Sequence, residues 1–391
     1  MIPIQVTVRD PIVSRDSRPF SAGGRMRPVD WPIPSMVAGC LRTLLGNEGD
    51  KDFSGQVLDD LKNISTGGLF PFHNGQLYFP APADAVRNAG TQFLRTSPQS
   101  ALVAGGGADW PVNGLDPVGL TFAQAADNFK PGAMPAWWRA DQYAQWLVCQ
   151  ASSMEIGTDA NAFFMKPGNE ERTHVAIESN NGVAADGQIF SSSALNLTHL
   201  KRFSTAKPDC DENQEIHLAT FARSATTWIE QTAKKLNALS PLGGDRRLAR
   251  WQQQAAMATI WECPATIKQA LAKPSVTKVR MVLATPAIFT SGWHPGWLKK
   301  SDLGLEGTVP ETDVKVRLKG AAIGRWRTVS GWSYEKHGPK ALKRTVPAGG
   351  VYFFEIVSGQ ASALASRWLR SVCDDSQAAN DGFGLATWGT W

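Results

Sequence analysis

The sequence predicts an α+β protein made of two ferredoxin-like domains with long glycine-rich loops. The main observation is the order of elements after residue 208, where strand–helix–strand is followed by a second strand–helix–strand, as in a ferredoxin-like unit. The first half repeats this order less regularly. A chain of 391 residues also exceeds one ordinary hydrophobic core, and its 36 Gly, 24 Pro and 15 Trp favour strands and turns over a helical bundle.

The N-terminal domain begins with a predicted strand over residues 2–8, where Ile4, Val6 and Val8 share one face. A polar loop follows, DPIVSRDSRPFSAGGRMRPVDWPIP, which carries Arg15, Arg18, Arg25 and Arg27. Few residues of this loop can build a core, so it is either disordered or held by a partner.

The first helix is predicted to start at Ser35, which has the residue type of an N-cap, and to end at Gly46. Apolar residues at helical spacing form its buried stripe. Arg42 lies outside that stripe and is therefore either a solvated side chain or a contact to a phosphate group.

A hairpin is predicted at residues 69–79, since Asn74-Gly75 supplies a two-residue turn between two apolar runs. The stretch of about 84–138 is irregular and predicts an insertion in the N-terminal domain. Aromatic residues over 137–148 then favour a short helix.

A second hairpin, at about 171–193, is predicted to protrude from the N-terminal domain as a thumb. Two alternating runs bracket the small, polar turn Asn180-Asn181-Gly182. The hairpin is either an ordinary surface element or one that crosses a nucleic-acid groove.

The polar segment KPDCDENQE divides the chain into domains at 1–207 and 208–391. The C-terminal domain is predicted to contain strands at 216–222 and 278–283 and helices at about 224–239 and 361–373.

The segment 323–355, here called the basic strip, carries the clearest signal for function. Six cations face one carboxylate, Glu335, before the strand-like VYFFE: Arg325, Arg327, Lys336, Lys340, Lys343 and Arg344. Trp326, Trp332 and Tyr334 lie among these cations. Cations for phosphates, rings for stacking and glycines for close approach are typical of a single-strand nucleic-acid site. The alternative is a solvated hairpin whose aromatic rings enter the core.

Other classes of function have little support in the sequence. The five cysteines are widely spaced, which indicates neither a disulfide framework nor a zinc site and favours a cytoplasmic protein. No apolar run approaches a membrane span, and no phosphate-binding, dinucleotide or metal-protease motif is present. We expect no metal and no cofactor. His174 is a candidate general base for RNA cleavage, but no acidic or second histidine partner is placed beside it by the sequence.

Seven segments, in order, resemble one known family along nearly the whole chain. They are RDSRPF with the following Gly23-Gly24, PIPSMVAGCLRTLLG, RTHVAIESNNGVAADGQIF, LGGDRRLARW, ATPAIFTSGWHPGW, VSGWSYEKHGPKALKRTVPAGGVYFFE and GFGLATWGTW. The family is the third subunit of the Cmr complex, the type III-B CRISPR RNA-guided effector, within the RAMP superfamily.

The resemblance implies two ferredoxin-like (RRM-like) domains and a non-catalytic crRNA-binding role at the 5′ handle of the crRNA. It also implies contacts with the large polymerase/cyclase-like subunit and the repeated backbone subunit, and only indirect contact with target RNA. The RNA-binding residues that we predict are Arg15, Arg18, Arg25, Ser35, Arg42, His174, Arg246, Arg247, Trp332, Lys336, Lys340 and Lys343. Two alternatives are a metal-independent RAMP-family endoribonuclease that processes crRNA precursors, and an assembly subunit that scarcely touches RNA.

Overall fold

A computed structural model of the chain describes residues 1–18, 25–88, 90–99, 112–121, 124, 129–203, 213–333 and 335–391. The α-helices with described bounds are α1 (Pro34–Glu48), α2 (Gly55–Lys62), α3 (Ala140–Val148), α4 (Thr227–Lys234), α5 (Ala265–Leu271) and α6 (Ser376–Asn380). Short 3₁₀ segments occur at Ala255–Met257, Thr259–Trp261 and Ala361–Arg367.

The strands up to residue 253 are β1 (Ile2–Val8), β2 (Ser65–Thr66), β3 (Phe70–His73), β4 (Gln76–Pro80), β5 (Ala85–Arg87), β6 (Gln92–Arg95), β7 (Ser97–Pro98), β8 (Val118–Gly119), β9 (Trp137–Arg139), β10 (Ser153–Glu155), β11 (Phe163–Phe164), β12 (Asn169–Ile177), β13 (Ala184–Leu195), β14 (His199–Lys201), β15 (Asn213–Glu215), β16 (His217–Arg223), β17 (Asn237–Pro241) and β18 (Leu248–Gln253).

The strands after residue 253 are β19 (Lys278–Leu283), β20 (Lys299–Ser301), β21 (Gly304–Thr308), β22 (Lys315–Ala322), β23 (Arg327–Val329), β24 (Trp332–Ser333), β25 (Gly338–Pro339), β26 (Lys343–Thr345), β27 (Val351–Ser358), β28 (Arg370–Ser371) and β29 (Leu385–Thr390). Helices and strands therefore share the chain, and the predicted α+β class is confirmed.

Nine strands of the described residues form the first sheet, in the spatial order β11-β9-β4-β3-β16-β1-β18-β17, with β2 paired to β16. β1 lies antiparallel to both of its neighbours, so that Val6 faces Leu218 on one side and Trp251 on the other. Of the four central strands, β1 comes first in the chain, β3 second, β16 third and β18 fourth. Across the sheet they therefore stand in the order second, third, first, fourth. α1 connects the first of them to the second, and α4 lies between the third and the fourth.

Seven strands of the described chain form the second sheet, in the order β20-β21-β22-β27-β19-β29-β28. β19 is an inner strand of this sheet, with Met281 opposite Tyr352 of β27 and Trp388 of β29. Its four long strands, β22, β27, β19 and β29, again stand in the order second, third, first, fourth. The two sheets thus repeat one arrangement of strands.

Several predicted elements are confirmed in place. The first strand spans the predicted residues 2–8. The hairpin of β3 and β4 turns at Asn74 and Gly75, both with positive φ (48° and 75°), as a type I′ turn requires. The hairpin predicted at about 171–193 is formed by β12 and β13, which pair from Asn169 with Leu195 to Ile177 with Ala184.

Other elements differ from the prediction. Ser35 is not the N-cap of α1: Ile33 holds that position, because Pro34 suits the first helical residue, where no N–H is needed. Trp137 and Trp138 belong to β9, since hydrogen bonding to β4 overrides their place before α3. The predicted helix at 224–239 ends at Lys234 and gives way to β17. Residues 361–373 form a 3₁₀ segment and then β28 rather than one α-helix.

The boundary predicted at 207/208 does not coincide with the change of sheet. β16, β17 and β18 lie after that boundary but pair within the sheet of β1, so the change of sheet falls between Gln253 and Lys278. The physical reason is that the N–H and C=O groups along the two edges of β1 pair with β16 and β18, and β17 in turn pairs with β18. Residues 204–212 and residues 100–111 of the predicted insertion, with their Gly105-Gly106-Gly107 run, lie outside the described residues.

Helix α3 joins the two sheets. Its Tyr143 ring stacks on Phe79 of β4, with ring centroids 4.8 Å apart. The hydroxyl of Tyr143 lies 2.6 Å from Thr387 Oγ1 of β29, and Leu147 packs against the backbone of Gly389, where a Cβ would meet the carbonyl oxygen of Leu147 at 2.3 Å. Buried apolar residues of both sheets consequently belong to one cluster.

A fully buried ion pair lies at this junction. Arg280 of β19 pairs with Asp84, and both side chains are 0% exposed. Asp84 also accepts a hydrogen bond from Trp146 Nε1 at 2.9 Å, while Arg280 and Arg95 both donate to the Trp146 carbonyl at the end of α3. Burial, aided by the charge of Arg280, lowers the pKa of Arg95 to about 9, which leaves it charged at neutral pH. These charges are tolerated because each guanidinium has an acceptor.

We expect Asp84→Asn to destabilise the whole chain, because it keeps the shape of the side chain but leaves the Arg280 charge buried without a counter-ion. The free energy of unfolding in urea should fall by about 3–5 kcal/mol. Glu230→Gln, which breaks the exposed pair with Lys234 on α4, is the control and should leave the urea midpoint unchanged. An Asp84→Asn protein as stable as the wild type would show that the carboxylate charge does not hold the junction.

Candidate nucleic-acid interface

A groove of about 410 Å³ separates the first turns of α1 from the basic strip. It is lined by residues from both halves of the chain: Ser35, Arg42, Lys62, Ile288, Val329, Ser330, Ser333, Glu335, Lys336, Pro339, Lys340, Ala341, Lys343, Gln377, Ala378, Asp381 and Phe383. Five of the predicted RNA-binding residues are among them. The fold therefore brings together cations that are about 300 positions apart in the sequence.

The basic strip folds as a hairpin in two steps. β23 pairs with β26, so that Thr328 faces Arg344, and further out β24 pairs with β25, so that Trp332 faces Pro339. Between the two steps Lys340 N donates to the Gly331 carbonyl at 2.8 Å. His337 lies near the tip with φ 46°. Tyr334, named in the sequence analysis, lies outside the described residues.

Two ion pairs attach the outer part of the hairpin to the body of the protein. Lys62, in the last turn of α2, lies 3.0 Å from Glu335. Lys343 lies 2.5 Å from Asp375, the residue that caps α6 by accepting from Gln377 N. The hydrogen bond from Lys343 lowers the pKa of Asp375 below its usual range. The carboxylates of Glu335, in the groove, and Asp375, beside it, are thus already paired with lysines of the chain.

Lys336 and Lys340 differ from Lys343 in their ionic contacts. Both are exposed on the strip and line the groove, and among the described residues neither has an acidic partner. Two aromatic rings of the strip are also exposed, Trp326 by 53% and Trp332 by 56%. The guanidinium of Arg344 lies 4.8 Å from the Trp326 ring centroid. Ammonium groups without acidic partners and exposed indole rings on one hairpin are the elements of a site for phosphates and stacked bases.

Arg42 lines the groove, but its guanidinium is already paired within the chain. It donates to Asp381 at 2.5 Å and to the carbonyl of Ile64 at 2.9 Å, and only 13% of its side chain is exposed. The sequence placed it correctly off the apolar stripe of α1, but the tertiary fold supplies partners that compete with a phosphate. Ser35, in the first turn of α1, makes no capping hydrogen bond and lines the same groove.

The first loop runs beside the strip. Ser17 hydrogen-bonds to Thr328 of β23, and Asp30 forms an ion pair with Arg327. Arg15 is exposed and its backbone pairs with Pro28. The other two predicted loop cations have acidic partners, Arg18 with Asp16 at 3.2 Å and Arg25 with Glu171 of the β12–β13 hairpin.

Arg246 and Arg247 lie on the turn between β17 and β18, which packs against the first loop. Gly244 N donates to the Val13 carbonyl at 2.7 Å. Arg246 is exposed and has φ 52°, whereas Arg247 is half-buried with its Nε unpaired. These two arginines therefore extend the row of loop cations rather than the groove.

His174 lies on the β12–β13 hairpin, away from the groove. Its Nε2 is 2.7 Å from Ser192 Oγ, and its ring stacks on Phe190 with centroids 5.0 Å apart. Residues 177–184 at the hairpin tip are all exposed. In the part of the chain that the structure describes, no group of three His, Cys, Asp or Glu side chains could hold a metal ion, and none of the helices has the length and apolarity of a bilayer-spanning helix.

Lys62 lines the groove and Trp326 and Arg327 lie on the strip, but none of the three is among the RNA-binding residues predicted from the sequence. Trp326 and Arg327 belong to the strip, and their alternation with charges is a signal that could have selected them. Lys62 is an ordinary polar residue of a short helix, and only its distance to Glu335 shows its place.

Arg42→Gln should lower the free energy of unfolding by about 1–3 kcal/mol, since it leaves the Asp381 carboxylate and the Ile64 carbonyl without their donor. Urea denaturation measures this loss, and Asp381→Asn combined with Arg42→Gln should cost less than the sum of the single changes. Lys273→Gln, an exposed lysine of the same charge, is the control. Strict additivity would contradict a coupled pair.

Comparisons with known proteins identify similar chains. A family model described as CRISPR-associated protein (Cas_Cmr3) matches residues 4–391. Two cryo-EM structures of a type III-B Cmr-beta bound to cognate target RNA, one also with AMPPnP, contain chains 13% identical to this one. Each match covers 90% of this chain and 86% of that chain, with TM-scores of 0.44 and, with AMPPnP, 0.43.

A third similar chain comes from a crystal structure of the Csm3-Csm4 subcomplex in the type III-A CRISPR-Cas interference complex. It is 7% identical, and the match covers 92% of this chain and 94% of that chain, with a TM-score of 0.37. No curated protein sequence matches the chain significantly.

Proposed function

The chain belongs to the Cas_Cmr3 family of CRISPR-associated proteins, and on that premise we propose that it is a non-catalytic, crRNA-binding subunit of a type III-B Cmr effector complex. In this role it caps the 5′ handle of the crRNA. It bridges the large polymerase/cyclase-like subunit to the first copy of the repeated backbone subunit, and it meets target RNA only indirectly.

The observation that carries the proposal is the groove between α1 and the basic strip. Lys336 and Lys340 line the groove without acidic partners among the described residues, and the same hairpin exposes Trp332, which pairs with Pro339. Phosphates of a guide RNA bind such cations and release counterions. Bases of an unpaired strand stack on the ring, which a base-paired duplex does not permit.

Single-stranded RNA suits this groove better than an acidic protein. An acidic protein needs only the charges, whereas the strip also exposes Trp326 and Trp332 beside them. Exposed indole rings that alternate with cations favour a ligand that alternates flat bases with phosphates. A fixed handle sequence can then be recognised by contacts to its base edges.

The β12–β13 hairpin is proposed as the thumb that crosses the crRNA near the junction of handle and guide. Arg25 joins its base to the first loop through Glu171, and the exposed tip stands away from the core. The first loop contacts the strip through Ser17 and the hairpin through Arg25, and the turn after β17 packs on this loop. A strand that leaves the groove is therefore proposed to pass along Arg15, Arg18, Arg246 and Arg247.

Each sheet is proposed to be the sheet of one ferredoxin-like domain. The order second, third, first, fourth of the central antiparallel strands, found in both sheets, is that of the β-α-β-β-α-β unit. In this interpretation the N-terminal domain closes with β18, and residues between β3 and β16 form an insertion that carries the hairpin.

A binding role is preferred to RNA cleavage by His174. Its Nε2 contacts the Ser192 hydroxyl and its ring stacks on Phe190, neither of which is an acid or base that could complete a general acid–base pair. The proposed contribution of His174 is a hydrogen bond or stacking contact to the crRNA.

We expect Lys336→Gln/Lys340→Gln to weaken binding of a single-stranded RNA that carries the handle sequence, because two phosphate contacts are lost. The dependence of log K on log salt should become shallower by about 1 to 1.5. Fluorescence anisotropy of the purified chain at several salt concentrations measures both quantities, and the RNA should be recovered at full length.

The matched control for the two lysines is Lys273→Gln/Lys300→Gln, which removes the same charge from exposed positions outside the groove. This control variant should change the RNA affinity little and should leave the dependence of log K on log salt unchanged. If the groove variant and the control behave alike, the strip is not the RNA site and the assembly-only alternative is favoured.

Trp332→Ala should weaken the same RNA by about 1–3 kcal/mol, the value of one stacked base, without changing the salt slope. Loss of affinity at constant slope separates stacking from phosphate binding. Trp332→Phe should restore most of the affinity, since it keeps a flat ring. Equal losses with Phe and with Ala would indicate that Trp332 supports the hairpin instead of a base.

A further inference from the structure

A second basic cavity, of about 660 Å³, lies in the N-terminal half of the chain, near the base of the β12–β13 hairpin. Its lining includes Arg87, Lys166, His199, Lys201, Arg202 and Phe203. Among the described residues that line it, none is acidic. Its volume is in the range that holds a nucleotide-sized ligand.

The walls of this cavity are held in place by contacts of their own. The guanidinium of Arg87 lies 5.1 Å from the Phe203 ring centroid and donates to the Ala133 carbonyl at 3.3 Å. Arg202 donates to Asn161 Oδ1 at 3.0 Å and to Gln214. A cationic wall that is already ordered loses little side-chain entropy when an anion binds.

Lys166 marks the rim of the cavity nearest to the basic strip. Its side chain is 67% exposed, and its ammonium group lies 3.6 Å from Asp30 Oδ2. The same Asp30 oxygen pairs with Arg327 of β23. The Asp30 carboxylate, which is 48% exposed, therefore contacts one cation of the cavity and one cation of the strip.

We propose that this cavity is a second binding site for RNA backbone phosphate, occupied by the strand after it leaves the groove and passes Asp30. The inference rests on the proposed function, because the groove supplies the strand. Lys166 and Arg87 are the phosphate contacts. Asp30 repels the backbone between the two sites and holds Lys166 and Arg327 while RNA is absent.

This arrangement predicts that substitutions at neighbouring residues change the affinity for RNA in opposite directions. Lys166→Gln/Arg87→Gln removes two cations of the cavity and should weaken a long single-stranded RNA by roughly fivefold to tenfold. Asp30→Asn removes the repelling carboxylate and releases two cations, so it should strengthen the same RNA by roughly twofold to fivefold and steepen its salt dependence. A site with a merely structural role gives no gain with Asp30→Asn.

The experiment compares two RNA lengths on the full chain by fluorescence anisotropy. The short RNA carries the handle sequence alone, and the long RNA extends it at both ends. Lys166→Gln/Arg87→Gln should affect the long RNA only, and the gain with Asp30→Asn should be larger for the long RNA than for the short one, because this change also frees Arg327 of the strip. Lys166→Gln alone repeats the test with an exposed side chain whose change cannot disturb packing, and Lys273→Gln is the charge-matched control.

Each result decides the inference separately from the proposed function. If the long RNA responds to the groove lysines but not to Lys166 or Arg87, the cavity proposal is wrong and the groove proposal stands; the cavity then suits another anion, such as an acidic segment of a protein. If it responds to the cavity residues only, the cavity is an RNA site and the groove is not. If it responds to neither set, both proposals are overturned.

Discussion

The buried pair of Arg280 and Asp84 is the interaction on which the arrangement of the two sheets depends. Neither charge has any contact with solvent, so each requires the other. Arg280 lies on β19 of the second sheet, and Asp84 lies in the turn after β4 of the first sheet. Trp146 binds to both, through its indole N–H and its backbone carbonyl. The end of α3 is thereby held where both sheets can pack on it, and the chain acquires one continuous core instead of two.

The groove follows from this junction. Once the sheets are joined, the start of α1 faces the hairpin that projects from the second sheet, and Lys62, Arg42 and Lys343 find acidic partners across the gap. Among the described cations that line the groove, these pairs leave Lys336 and Lys340 without an acidic partner. Ion pairing within the chain thus selects which of several similar basic side chains are offered to a ligand.

The same selection operates on the first loop and the β12–β13 hairpin. Arg18 and Arg25 have neighbouring carboxylates, whereas Arg15 and Arg246 are exposed. Asp30 serves two cations on opposite sides of the loop. A chain with a formal net charge of only +5 can present a basic path in this way, because carboxylates beside the groove are paired with some cations and other cations lie close together.

The sequence by itself determined the α+β class, the first strand, the Asn74-Gly75 hairpin, the β12–β13 hairpin and the basic strip, because alternation and turn chemistry are local. It also determined the family, through short segments in a fixed order. Only the tertiary structure decided that β16 to β18 complete the first sheet, that the charge of Arg42 is paired with Asp381, and that Lys62 belongs to the groove. Those three facts depend on which distant strand or carboxylate lies opposite a residue, and no pattern within a few residues of the chain carries that information.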